Sequence, residues 1–304
     1  MTRQRYACGV SLARAWREGV GVGDAAWLDE SPELALFAAL SRLVAGERVA
    51  IPAPANGAAT SVVHAAAGVL DAVLVRDAAL VDRGVAVLGL ALDQLPDDDP
   101  HAIAARAWAD LALGEVATFV GDLRVAHRRF DTIAAVARCP VALRIAAMLR
   151  LVGLAMERRD LESARSWARK AMTLAEAKRP ADLARAALAS GLLAYATHDL
   201  AEMRKTLGAI ATDSTHGRIA RLLIASAEDE VQALTLLADA LREAVAGRDT
   251  VTYALCVFMG ARRYVAMGRY EDARISLDTG ILQLVKPAPH LAKLLIEERL
   301  ACLR

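Results

Sequence analysis

Apolar positions recur along this chain at intervals of three and four. Leu143, Ala147, Leu151, Leu154 and Ala155 form one stripe; Leu161, Ala164, Ala168, Ala171 and Ala175 form a second; Tyr270, Ala273, Leu277, Ile281 and Leu284 form a third. That period puts each set on one face of an α-helix, and no run alternates apolar and polar residues as a half-buried strand would. The nine prolines fall at the edges of these segments, where a residue lacking an N–H does least harm to a helix. Ser31-Pro32 and Asp99-Pro100 have the order of a cap followed by a first helical residue. The pattern predicts helices over 3–18, 32–46, 59–75, 78–94, 100–119, 123–137, 141–157, 161–177, 181–197, 200–211, 217–227, 230–246, 251–267, 270–285 and 288–303. Short connections make neighbouring helices antiparallel. Two connections are longer, 19–31 and 47–58, and the second carries Pro52, Pro54 and Asn56-Gly57. The expected division is therefore an N-terminal extension or cap over 1–58, a main array over 59–286 and a capping helix over 287–304.

Composition narrows the class without changing the architecture. The chain has 304 residues, 56% apolar, 24% charged and only 4% aromatic. Ala and Leu dominate, which favours helix. Lys+Arg is 37 against Asp+Glu 36, so the chain lacks the positive excess on which a nucleic-acid binder depends. Cys8, Cys139, Cys256 and Cys302 show no short spacing, which points to a reducing, cytoplasmic setting rather than a disulfide framework. The apolar stretch Ala7 to Ala13 runs into Arg14 and is not a secretory signal. Asp71 interrupts the apolar stretch Ala65 to Val75, and Gly84 to Leu92 is too short to cross a bilayer. The expectation is a chain with no membrane partner, its apolar content spent on buried helices.

Alignment of the chain with itself brings out a recurring turn. A small or polar residue is followed by Asp or another polar residue, then a large apolar residue, with a small residue three further on. Gly121-Asp122-Leu123 leads to Ala126, Arg159-Asp160-Leu161 to Ala164, and Gly268-Arg269-Tyr270 to Ala273. His198-Asp199-Leu200 leads to Met203, where the small residue is lost; Glu228-Asp229-Glu230 and Arg76-Asp77-Ala78 are weaker. A small residue sits seven before the turn at Gly114, Gly191 and Ala261, and an apolar residue follows at Phe130, Ala168, Leu207, Leu237 and Leu277. Two antiparallel helices pack closely where one presents a small residue to the other, and each such hairpin leaves a face for the next to bury.

Leu113-Gly114, Gly121-Asp122-Leu123, Ala126 and Phe130, and later Ala261, Tyr264, Gly268, Tyr270 and Ala273, resemble the tetratricopeptide repeat family in a divergent, long-repeat form. The resemblance covers residues 100–286 well and 59–98 poorly. It implies an all-α, right-handed superhelix of antiparallel hairpins whose first helices line a concave, ligand-binding face. On this chain that face would carry Trp108, Leu111, Glu115 and Phe119, then Ala146, Leu149, Gly153 and Met156. Arg185, Leu188, Leu192 and Tyr195 follow, then Arg218 and Leu222, then Leu255, Phe258 and Arg262. Arginine forks suit carboxylates and the aromatics suit anchor roles, so an acidic and apolar protein or peptide is the expected partner. The family's asparagine–lysine carboxylate clamp is absent, because the only asparagine is Asn56.

Reaction centres fare less well. His198-Asp199, with His64, His101 and His127, resembles the centre of a helical HD-type metal hydrolase, but it occupies the recurring turn. Asp97-Asp98-Asp99 reads as a charged loop and a helix cap. Gly21, Gly23 and Ala26 fit a loose dinucleotide spacing, but a helix rather than a strand precedes them. Cys256, near Arg262 and Arg263, lies on an apolar helix and reads as packed. Trp16, Trp27 and Trp167 read as packing anchors. No metal or cofactor is expected. The sequence therefore predicts a non-catalytic, cytoplasmic scaffold or regulatory module, with homodimerisation left open. The alternatives are a sensor holding a small molecule or signalling peptide inside the superhelix and, further off, the HD-type hydrolase.

Overall fold

The computed structural model of the chain describes residue 16 and residues 31–44, 48–178, 182–197, 199–210, 215–226, 230–246 and 250–302. Among the described residues there are fourteen α-helices and no strand, so the fold is all-α as the periodicity predicts. They are α1 (Pro32–Val44), α2 (Ala58–Val75), α3 (Ala78–Asp93), α4 (Ala102–Phe119), α5 (Leu123–Ala135), α6 (Val141–Glu157) and α7 (Leu161–Lys178). There follow α8 (Leu183–Ala196), α9 (Leu200–Gly208), α10 (Thr215–Ser226), α11 (Glu230–Ala246), α12 (Thr250–Ala266), α13 (Tyr270–Leu284) and α14 (Pro289–Cys302). The chain forms two compact units, Met1–Asp182 and Leu183–Arg304.

In the first unit α2 packs against α1, α3 and α4, and α4 against α5 and α6. The core is built from Phe37 and Leu40 of α1, Val62, Val63 and Val69 of α2, Trp108 and Leu111 of α4, Phe130 of α5 and Leu143, Ile145 and Leu151 of α6. Each such side chain taken from water stabilises the fold by about 1.5–3 kcal/mol before entropy is counted. Trp16 is buried with them, stacked on His101 at 4.3 Å between ring centroids and edge-on to Phe37 at 5.0 Å. Among the described residues α2 is the one helix long and apolar enough to cross a membrane, and 56% of it is buried inside the protein. Its Asp71 pairs with Arg48 at 2.9 Å.

In the second unit α8, α10 and α12 lie side by side, each backed by the helix that follows it. Val257, Ala261, Ala273, Leu277, Leu284 and Leu295 form one apolar cluster, and Leu222, Leu237 and Cys256 another. The last helix, α14, packs on both α12 and α13. Close approach here rests on Gly280: a Cβ at that position would lie 2.7 Å from Val257 Cγ1.

The connections explain the recurring turn. Gly121 takes φ +82°, in the left-handed region, so its N–H reaches the Thr118 carbonyl and the next N–H, of Asp122, reaches the Ala117 carbonyl at 2.8 Å. This pair of bonds closes the helix C-terminus. The same Asp122 then caps the next helix, its Oδ1 accepting the Val125 N–H at 3.0 Å. One residue ends α4 and its neighbour starts α5. Arg159-Asp160 does the same between α6 and α7, and Arg76-Asp77 between α2 and α3, with the arginines at φ 59° and 56°. Gly268-Arg269 repeats the stop at φ +71° but no side chain caps α13. Asp199 caps α9 through the Glu202 N–H, while His198 lies outside the described residues. Four residues into the helices that follow, Ala126, Ala164, Met203 and Ala273 are fully buried. In Glu228-Asp229-Glu230 the first two residues lie outside the described residues.

The two proline caps behave differently. Ser31 Oγ accepts the Leu34 N–H at 3.3 Å and caps α1 as predicted. Asp99 instead accepts the His101 N–H at 2.7 Å within a turn, and α4 begins at Ala102 rather than Pro100. The competing Asp99 turn delays the helix by two residues.

Candidate functional site

The expected concave-face residues divide between the two units and differ sharply in accessibility. In the first unit Trp108 and Leu111 are core residues, each 1% exposed. Side chains so placed have no surface to offer a partner, which corrects their expected role. The physical reason is that α4 is apolar on most of its circumference, and α2, α5 and α6 cover it on several sides. Burial leaves the Trp108 indole N–H without an acceptor among the described residues. Glu115 is ion-paired with Arg150 across α4 and α6. Its carboxylate is thereby engaged within the unit.

In the second unit Arg185, Leu188, Leu192 and Tyr195 follow one another on α8 at intervals of three and four, on one face. Arg185 and Leu188 are half-buried, while Leu192 and Tyr195 are each 38% exposed. Arg218 belongs to α10, but its side chain lies outside the described residues. On α12, Phe258 lies under the Arg262 guanidinium, whose carbon is 4.6 Å from the ring centroid. Arg262 is not held ready for an incoming carboxylate. Its Nε and Nη2 donate to both carboxylate oxygens of Glu298 on α14, at 2.8 and 3.1 Å. Glu298 is only 8% exposed, so the fork satisfies a buried acid of the same chain. The triad of arginines expected from sequence is thus not a set of three equivalent open forks.

Sequence reasoning missed a cleft of about 310 Å3 at one end of α12, lined by Ala244, Val245, Thr250, Tyr253, Gln283, Leu284 and Pro287. Its polar groups are the Thr250 hydroxyl, the Tyr253 phenol and the Gln283 amide; none is charged. Burial pushes the Tyr253 phenol above its usual range, so it stays protonated near neutrality. No motif spacing marks these residues, because they come from separate helices and from the turn after α13.

Several of the residues weighed for catalysis have structural partners. His64 Nε2 lies 3.0 Å from the Pro52 carbonyl, His101 stacks on Trp16, and Asp97 pairs with Arg106. Among the described residues no three His, Cys, Asp or Glu side chains converge. Cys139 and Cys256 are buried and in no disulfide, and burial pushes the Cys139 thiol up. Lys170 lies over the Trp167 ring at 4.1 Å. Gly21, Gly23, Ala26 and Trp27 lie outside the described residues. Comparison of the chain with protein-family models, with curated proteins and with solved structures gives no match.

Proposed function

We propose that the chain is a non-catalytic recognition module, a right-handed stack of helix hairpins of the tetratricopeptide type that works in the cytoplasm as a scaffold or regulator. Its partner is a protein or peptide that is largely apolar where it docks, and neither nucleic acid nor membrane. The observation that carries this reading is the face of α8, where Leu192 and Tyr195 stay exposed beside Leu188 and Arg185. An exposed tyrosine is typical material of a binding hot spot, and Leu192 beside it adds apolar area. The shared stop-and-cap turn and the side-by-side packing of α8, α10 and α12 add to it. Arg262 does not support an acidic component of the partner, since it serves Glu298.

The test is capture of partners from the native host with the wild-type chain and with Leu192→Asp/Tyr195→Asp, followed by calorimetry on each retained protein. Affinity lower by tenfold or more in the double variant is the expected result. Equal affinity for every captured partner overturns the reading. The cleft at Tyr253 favours one alternative, a sensor for a small uncharged molecule. For that reading, Val245→Trp, which narrows the cleft, would abolish small-molecule binding and leave the α8 face intact.

A further inference from the structure

We propose that α3 (Ala78–Asp93) is a self-association surface and that its occupant is α3 of a second copy of this chain, packed antiparallel. The helix is apolar almost throughout, yet only Val81 and Leu88 are buried. Leu80, Val87 and Leu90 are 37%, 56% and 65% exposed, and Ala79 and Ala86 beside them are exposed as well. At 100° per residue these five side chains share the side away from α2. Water meets there a face that is apolar apart from exposed Arg83 at its centre, the kind of surface that soluble chains keep for contacts.

The charges on α3 select the occupant. Its only charged residues are Asp82, Arg83 and Asp93. None of them forms an ion pair with a described residue; among the described residues Arg83 donates only to the Ala79 carbonyl on its own helix, at 3.2 Å. An antiparallel pairing that sets Arg83 level with the second copy's Asp93 also sets Leu90 level with that copy's Ala86. A large side chain then meets a small one, and a cation meets an anion. Two-fold symmetry makes both contacts occur twice. An anionic membrane surface would instead ask for a basic polar face, and α3 carries two acids to one base. A single helix face is smaller than a standard interface of about 800 Å2 per partner, so the dimer is expected to be weak and concentration-dependent.

The test is sedimentation of the full chain from about 1 to 200 μM, a range that brackets a micromolar association. Wild type is expected to pass from monomer to dimer, and Leu90→Asp to stay monomeric with an unchanged helical circular dichroism spectrum. Arg83→Asp and Asp93→Arg should each weaken the dimer by about tenfold alone. Mixed in equal amounts they should form a heterodimer, because both crossed pairs then bring opposite charges together. A wild-type chain that stays monomeric over this range overturns the proposal, whether or not it binds anionic vesicles. So does a Leu90→Asp variant that dimerises like wild type, or a mixture that associates no better than its components.

Discussion

Gly114 of α4 and Phe130 of α5 meet so closely that a Cβ added to the glycine would lie 2.5 Å from Phe130 Cε1. The ring is fully buried and lies against the bare backbone of the facing helix. Gly191 and Leu207 repeat the relation at the same sequence spacing in the second unit, where an added Cβ would come within 2.2 Å of Leu207 Cδ2. In an open helix, Gly→Ala would stabilise by about 1 kcal/mol. Here overpacking costs about 1–3 kcal/mol, so Gly114→Ala is expected to destabilise the chain. Adding Phe130→Leu to that variant should return part of the loss. Urea unfolding of the three variants measures both signs, and a more stable Gly114→Ala protein would contradict the close approach.

The stop-and-cap turn separates two residue roles that can be tested independently. Gly121 at φ +82° occupies the left-handed region without strain, whereas Arg159 at φ 59° does so with a Cβ. The left-handed conformation costs an ordinary residue about 1–2 kcal/mol, partly offset by the greater freedom of glycine in the unfolded chain. Arg159→Gly is therefore expected to raise stability by about 0.5–1 kcal/mol, and Gly121→Ala to lower it by about 1 kcal/mol. Thermal melts of the two variants should shift in opposite directions.

These turns were the most legible part of the chain. Gly121 and Asp122 perform tasks that few residue types can do, so their chemistry shows in the sequence itself. The helices were legible for a related reason, since the period of three and four survives any tertiary arrangement. What periodicity withheld was which stripe faces a neighbour. Trp108 and Leu111 fit a groove-facing spacing, but on a helix apolar nearly all round, spacing does not distinguish surface from core. Conversely, α3 reads as a buried helix and presents Val87 and Leu90 to water. Arg262 and Glu298 are far apart in sequence, and only the packing of α14 on α12 makes them a pair.

Acid should weaken the α6–α7 turn. Asp160 Oδ1 accepts the Ser163 N–H at 3.0 Å. The hydrogen bonds from Ser163, with a smaller contribution from nearby Arg158, hold the Asp160 carboxyl below its ordinary value. A carboxylate lowered on folding contributes stability that is fully present above its unfolded value, about 3.9. That contribution fades as pH falls through the lower folded value. Asp160→Asn keeps a capping oxygen but removes the titration. The expected result is a smaller loss of melting temperature below about pH 4 in the asparagine variant than in wild type. Parallel curves would assign the acid sensitivity to other carboxylates, Glu271 among them, which Arg274 also holds low.

The Arg262–Glu298 pair distinguishes a structural arginine from a recognition arginine. Glu298 is 8% exposed and Arg262 is 63% exposed, so the cost of losing the pair falls on the acid. Arg262→Ala leaves that carboxylate buried without its fork and also bares the Phe258 ring on which the guanidinium rests. A hydrogen bond to a charged group is typically worth about 1.5–3 kcal/mol, and Arg262→Ala should lower stability by that order with no partner present. Arg262→Lys restores the charge but not the two parallel hydrogen bonds, and an intermediate loss is expected. If Arg262 served only a docking partner, the isolated chain would melt at the wild-type temperature in both variants, and the loss would appear solely in binding. Glu298→Gln completes the comparison. It keeps the shape and removes the buried charge, so Arg262→Ala on that background should cost less than on the wild type. The difference between the two costs is the coupling energy of the pair.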